Sequence, residues 1–109
     1  MTTLSTHVLD AVTGTAAVGV SLTLTGPGGE VLTRAGTDAD GRARLDADLG
    51  AGVHRLTFAT GEWFAAAGRE TFHPEVVVAF TVTPGADARP HLHVPLLLSP
   101  FAYSTYRGS

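Results

Sequence analysis

The sequence predicts an all-β fold, a two-sheet antiparallel β-sandwich of about eight strands with one short helix. Three observations carry this. Short alternating or apolar runs are bounded by Gly, Pro and Asp clusters, spaced roughly every ten residues. The segment Glu62-Trp63-Phe64-Ala65-Ala66-Ala67-Gly68 breaks that pattern with helix formers closed by a glycine. The whole chain is 109 residues long, which suits one domain spanning 1–109.

The strands follow in order. Thr3–Leu9 alternates, with Leu4, Thr6 and Val8 on one face and Ser5, His7 and Leu9 on the other. Val18–Thr25 and Val31–Ala35 flank Gly26-Pro27-Gly28-Gly29, a turn signal because Gly accepts positive φ and Pro presets its own. Asp38-Ala39-Asp40-Gly41 is a second turn, leading into Arg42–Leu45. It does not fit a calcium loop. Its glycine stands fourth rather than sixth, and Leu49 occupies the twelfth position where a glutamate is required. Val53–Ala59 precedes the helix, and Glu75–Thr81 follows it. Thr83–Asp87 forms a loop before His91–Leu97, and Ala102–Arg107 is the last strand.

Composition narrows the function. There are no cysteines, so disulfides and thiolate metal sites are excluded, and the composition fits a reducing cytoplasm. The net charge is −3, with no basic stripe, so nucleic acid and anionic membranes are not expected partners. The opening MTTLSTHVLD lacks the basic and apolar regions of a signal peptide, and no apolar run approaches a membrane span.

In the seventh strand Leu92, Val94, Leu96 and Leu98 belong to the core, while His91, His93, Pro95 and Leu97 share the opposite face. If the first, fourth, seventh and last strands lie in one sheet, its outer face carries His7, Arg42, His93 and Tyr106 beside Leu9, Pro95 and Leu97. Apolar residues in such a mixture call for a cover, and a second copy of the chain is the economical one. The polar residues would then line a cleft between subunits.

Such a cleft suits hydrolysis. A histidine takes a proton from water near neutral pH. Arg42 offers a planar fork of donors to a carbonyl or developing oxyanion, and Tyr106 would wall the pocket. Each residue also has a plainer reading, as a surface or hydrogen-bonded structural group. His91 and His93, two apart on one face, would with His7 also suit a three-histidine zinc site. His54 and His73 read as structural or surface residues.

Ser5-Thr6-His7-Val8-Leu9-Asp10 and its following Thr-Gly turn resemble the N-terminal signature of the transthyretin family. The closing run from His93-Val94-Pro95-Leu96-Leu97-Leu98-Ser99-Pro100 to Tyr106-Arg107-Gly108-Ser109 is similar to that family's C-terminal signature. Thr37-Asp38-Ala39-Asp40-Gly41-Arg42 and Gly61-Glu62-Trp63-Phe64 also fit, so the resemblance covers essentially the whole chain. The two histidines, Arg42 and the Tyr-Arg-Gly-Ser end resemble the hydroxyisourate hydrolase branch rather than the hormone carriers.

The resemblance implies a transthyretin-like (prealbumin-like) fold and a cytoplasmic homotetramer built as a dimer of dimers, with sites at the subunit interface. It implies metal-independent, cofactor-free opening of 5-hydroxyisourate by water in purine catabolism, giving 2-oxo-4-hydroxy-4-carboxy-5-ureidoimidazoline. By the same resemblance His7 and His93 handle the water proton, Arg42 holds substrate and oxyanion, and Tyr106 and Ser109 add substrate contacts. Which histidine is the base stays open, as do the roles of His91, Arg44 and Arg107. A small-ligand carrier and a structural sandwich module are the competing classes; the first needs an apolar channel, which His7, Arg42 and His93 oppose.

Overall fold

The structure, a computed structural model, describes residues 3–83 and 91–108. The expected loop residues Pro84–Asp87 and the candidate Ser109 lie outside the described residues. The elements run β1 (Thr3–Asp10), β2 (Thr15–Ala16), β3 (Ser21–Thr25), β4 (Val31–Gly36), β5 (Arg42–Leu45), β6 (Gly52–Phe58), α1 (Thr60–Ala66), β7 (Val76–Val82), β8 (His91–Leu98) and β9 (Tyr103–Thr105).

Two sheets result. One runs β2-β1-β8-β9, with β5 also on β1; the other runs β4-β3-β6-β7. β8 takes one edge of β1 along its full length, so β5 and β2 share the other. Described pairings are antiparallel except β1 with β8, which is parallel. A parallel pair cannot be closed by a hairpin and needs a long crossover. Here the whole second sheet and the helix lie between the two strands in sequence.

The alternation read from the sequence sets the layers. Leu4, Val8, Leu96 and Leu98 from the first sheet meet Leu22, Leu24, Leu56 and Phe58 from the second, all fully buried. Removing such side chains from water contributes about 2 kcal/mol each. Thr6 is a polar member of this face, and its hydroxyl donates to the Val94 carbonyl at 2.6 Å. Thr37 plays a similar part between loops, accepting from the Val20 amide and donating to the Ala17 carbonyl.

Most strand boundaries fall within a residue of expectation; the larger departures have local causes. The strand expected from Val18 starts only at Ser21, because Gly19 turns the chain at φ 79°. The two-residue β2, opposite Leu9 and Asp10, is too short to leave a sequence pattern. The last strand ends at Thr105 rather than Arg107. Pro95 has no N–H for a further rung, and the Thr105 hydroxyl takes its carbonyl at 2.7 Å.

The helix sits two residues earlier than Glu62–Gly68 and ends as the glycine predicts. Gly68 adopts φ 67°, its amide bonds to Ala65 and that of Arg69 to Phe64, completing a Schellman cap. Arg69 then lies over the Phe64 ring at 4.8 Å and the Trp63 ring at 5.8 Å, and donates to Asp10 Oδ2 at 2.6 Å. Trp63 Nε1 donates to the Val18 carbonyl at 2.8 Å. The helix is thereby tied to the end of β1 and to the loop before β3.

Asp10 is 3% exposed. Burial pushes its carboxyl upward, but the Arg69 hydrogen bond, the Thr13 and Val12 amides and the Arg69 charge outweigh burial and hold it below the ordinary value. A depressed carboxylate stabilises the fold above its unfolded value of 3.8 and loses that contribution as pH falls through the lower folded value. Asp10→Asn is therefore expected to cost about 2 kcal/mol in urea unfolding at neutral pH. Its deficit relative to wild type should shrink below the unfolded value; a deficit that stays constant with pH would remove Asp10 ionisation from the account.

Candidate active site

The parallel pairing puts Thr3 opposite His91, Ser5 opposite His93 and His7 opposite Pro95. On the other edge of β1, Arg42 stands opposite His7 and Arg44 opposite Ser5. Because Leu4, Thr6 and Val8 fill the inner face, Ser5 and His7 face outward with these partners. Three sequence-predicted residues, His7, Arg42 and His93, are thus brought onto one outer surface by adjacent strands. The apolar neighbours are less uniform than expected: Pro95 is buried, while Leu97 stays 36% exposed.

The turn before β5 aims Arg42. Asp38 Oδ1 accepts from the amides of Asp40 at 2.9 Å and Arg42 at 3.0 Å. These bonds hold the Asp38 carboxyl below its ordinary value. Gly41 has φ 74°, and a Cβ there would stand 2.5 Å from the Val8 carbonyl. Only glycine lets this turn lie against β1, where the Val8 amide donates to the Gly41 carbonyl at 2.7 Å. Among the described residues no ion pair or hydrogen bond engages the Arg42 guanidinium. Its rival Arg44 stands 3.9 Å from Asp46, both exposed.

The histidines are wired together by groups the sequence reading passed over. Thr3 Oγ1 lies 2.7 Å from His91 Nδ1. Ser5 Oγ lies 2.8 Å from His91 Nε2 and 2.8 Å from His93 Nδ1. His91, whose role was open, uses both ring nitrogens in these contacts. The signal for Ser5 was present, two residues before His7 on the same face; what was missing was the register that sets it against β8. Burial lowers the His93 pKa below its ordinary 6.5, and the neighbouring Arg42, His7 and His91 lower it further, with Ser5 opposing. His93 is therefore neutral at neutral pH, the form that accepts a proton.

The C-terminal segment closes the other side of His93. The Gly108 amide donates to the His93 carbonyl at 2.9 Å. A Cβ on Gly108 would stand 2.5 Å from His93 Cδ2 and 3.1 Å from its Cγ. Tyr106, 60% exposed and beyond the strand that was expected to carry it, borders a cavity of about 370 Å³ with Phe80, Leu92, His93 and Arg107. A second hollow of about 250 Å³ on the opposite flank is lined by Ser5, Asp38, Arg42, Arg44, His91 and His93. The hollow at Arg42 gathers Ser5, Arg42, His91 and His93, while the cavity at Tyr106 lies across His93, which borders both.

His54 and His73 are not part of this surface. His54 is 1% exposed, stacked on Phe80, with Nδ1 3.2 Å from the Gly52 carbonyl. His73 packs edge-on between Phe72 and Tyr103. Among the described residues no group of three or more His, Asp or Glu is arranged to hold a metal ion. No helix is long and apolar enough to cross a membrane.

Fold and surface together define a transthyretin-like β-sandwich that carries a cluster of histidines and an exposed arginine on one sheet. Residues 4–108 match the model of the HIUase/Transthyretin family, and the chain belongs to that family. It is 46% identical to the 5-hydroxyisourate hydrolase of Caulobacter vibrioides, covering 100% of both chains. The solved Klebsiella pneumoniae 5-hydroxyisourate hydrolase superposes with a TM-score of 0.90 at 44% identity, again over 100% of both chains. Sea bream transthyretin, solved in complex with thyroxine, gives a TM-score of 0.85 at 32% identity, over 96% of this chain and 93% of that one.

Gly108→Ala forces either the tail or the imidazole to move. We expect the His93 ring resonances to shift while stability falls by no more than about 1 kcal/mol. Unshifted resonances would mean that the contact accommodates a methyl group.

Proposed function

We propose that this chain is a cytoplasmic 5-hydroxyisourate hydrolase of urate breakdown. It adds water to a ring carbonyl, opens the six-membered ring and yields 2-oxo-4-hydroxy-4-carboxy-5-ureidoimidazoline. The observation that carries this reading is the convergence of His7, Arg42 and His93 from three adjacent strands. The family membership and the names of the relatives at up to 100% mutual coverage support the substrate.

Each residue then has a task. His93 engages Ser5 through Nδ1, which leaves Nε2 to take a proton from water. The water oxygen bonds to the carbonyl carbon, and the electron pair moves onto the carbonyl oxygen. Arg42, exposed and with its guanidinium in no ion pair or hydrogen bond among the described residues, stabilises that oxyanion. Collapse breaks the ring C–N bond, and the leaving nitrogen receives the proton from imidazolium. His7, opposite Arg42, shares the proton handling and holds the ring. Tyr106, at the cavity across His93, walls the far side of the pocket, and Ser109 adds a polar contact to substrate.

The site is completed in a homotetramer, a dimer of dimers. Leu97 and Tyr106 are exposed, and among the described residues β7 and β9 each pair with a single strand. Sedimentation equilibrium should return four chains per particle; a monomer with full activity would overturn the interface site.

The direct assay generates 5-hydroxyisourate from urate with urate oxidase and follows its ultraviolet decay with and without this protein. Unaccelerated decay would sink the reading. Arg42→Lys keeps the charge and loses the fork. We expect kcat/KM to fall about a hundredfold with circular dichroism unchanged; near-normal turnover would move oxyanion stabilisation elsewhere.

A further inference from the structure

We propose that Ser5 and His91 form a proton relay behind His93, fixing its tautomer and moving the charge it acquires out to the sheet surface. This deepens the hydrolase reading and rests on it.

The geometry carries the argument. Thr3, His91, Ser5 and His93 form one unbroken chain of contacts of 2.7 to 2.8 Å. The Ser5 hydroxyl has a single proton and two imidazole partners, so it donates to one and accepts from the other. Two settings satisfy every atom. In one, His93 Nδ1–H donates to Ser5, Ser5 donates to His91 Nε2, and His91 Nδ1–H donates to Thr3. His93 Nε2 then carries the lone pair a base needs. In the other, every bond is reversed and His93 Nε2 carries the hydrogen.

Proton movement converts the first setting into a third, charged one. When His93 Nε2 takes a proton from water, its Nδ1 proton passes to Ser5 Oγ and the Ser5 proton passes to His91 Nε2. His93 ends neutral with Nε2–H, and His91 becomes the imidazolium, donating to both Thr3 and Ser5. No bond other than these N–H and O–H bonds changes, and no proton is lost. Reversal returns the proton from His93 Nε2 to the leaving nitrogen.

The surroundings give the relay a direction. His93 is partly buried and faces the Arg42 charge, His7 and His91, all of which disfavour a cation there. His91 is exposed, so water solvates its charge. The other ionisable groups around the pair are Asp38 and Arg44 on the β5 side and Tyr106 and Arg107 in the C-terminal segment. Ser5 and His91 thus act through His93 as positioning residues.

Ser5→Ala cuts the chain at its centre, and Ser5→Thr restores the hydroxyl. We expect kcat to fall ten- to a hundredfold in Ser5→Ala with KM within about twofold, and to recover to within about threefold in Ser5→Thr. Nitrogen-15 shifts of His93 should show Nδ1–H predominating in wild type and a loss of that preference in Ser5→Ala. Unchanged kcat and tautomer in Ser5→Ala, or equal damage in both variants, would overturn the relay. His91→Gln provides a second test, because glutamine keeps a polar partner for Ser5 and cannot become a cation. It should lower kcat at least fivefold and change the acid limb of the pH profile; wild-type kcat and profile there would also overturn it. If the wild-type protein leaves 5-hydroxyisourate decay unaccelerated, the hydrolase reading fails separately, and the His93 tautomer in wild type and Ser5→Ala still decides whether the chain of hydrogen bonds exists.

Discussion

Eight successive residue pairs, from Thr3 opposite His91 to Asp10 opposite Leu98, hold β1 beside β8 in parallel. Both core and site depend on that register. A slip of one residue would turn Leu4, Thr6 and Val8 out of the interior and drive Ser5 and His7 into it. The burial of the leucines and valines therefore enforces the positions of the histidines, although the two sets never share a face. Parallel strands joined by some eighty residues of intervening chain bear a large closure entropy, and the core between the sheets offsets it.

The same strand pair divides the chemistry. Inside, the polar Thr6 is satisfied by the Val94 carbonyl. Outside, hydroxyls and imidazoles at every second position bond one another across the pair. Arg42 enters from the opposite edge on a turn that only glycine permits, and its guanidinium is exposed, with no hydrogen bond or ion pair among the described residues. Such a cation is costly in the interior and inexpensive at an exposed surface. Its nearness also helps keep His93 neutral, the form able to accept a proton.

The segments added after the core support this arrangement from two sides. Asp10, at the end of β1, accepts from Arg69 and from two amides, tying the helix and the first turn to the central strand. At the other end the chain after β9 lies against β8, and Gly108 touches the His93 ring. Glycine 108 is thus a steric requirement of the imidazole beside it, in the way that Gly41 is a requirement of the backbone of β1.

Much of this was legible in the linear sequence. Alternation in Thr3–Leu9 and His91–Leu98 identified the inner and outer sets, the Asp38–Gly41 cluster marked the turn, and Gly68 marked the helix end, because each is a local property of side-chain period or backbone freedom. His7, Arg42 and His93 could be singled out as candidates because they share that outward period and sit in motifs that resemble those of a known family. Tertiary structure alone decided that β1 and β8 run parallel, that Ser5 meets both His91 and His93, and that Tyr106 lies past the strand at a cavity rim. Those facts follow from which strands become neighbours and in what register. That choice is made by packing energy summed over residues nearly ninety positions apart, and no local pattern encodes it.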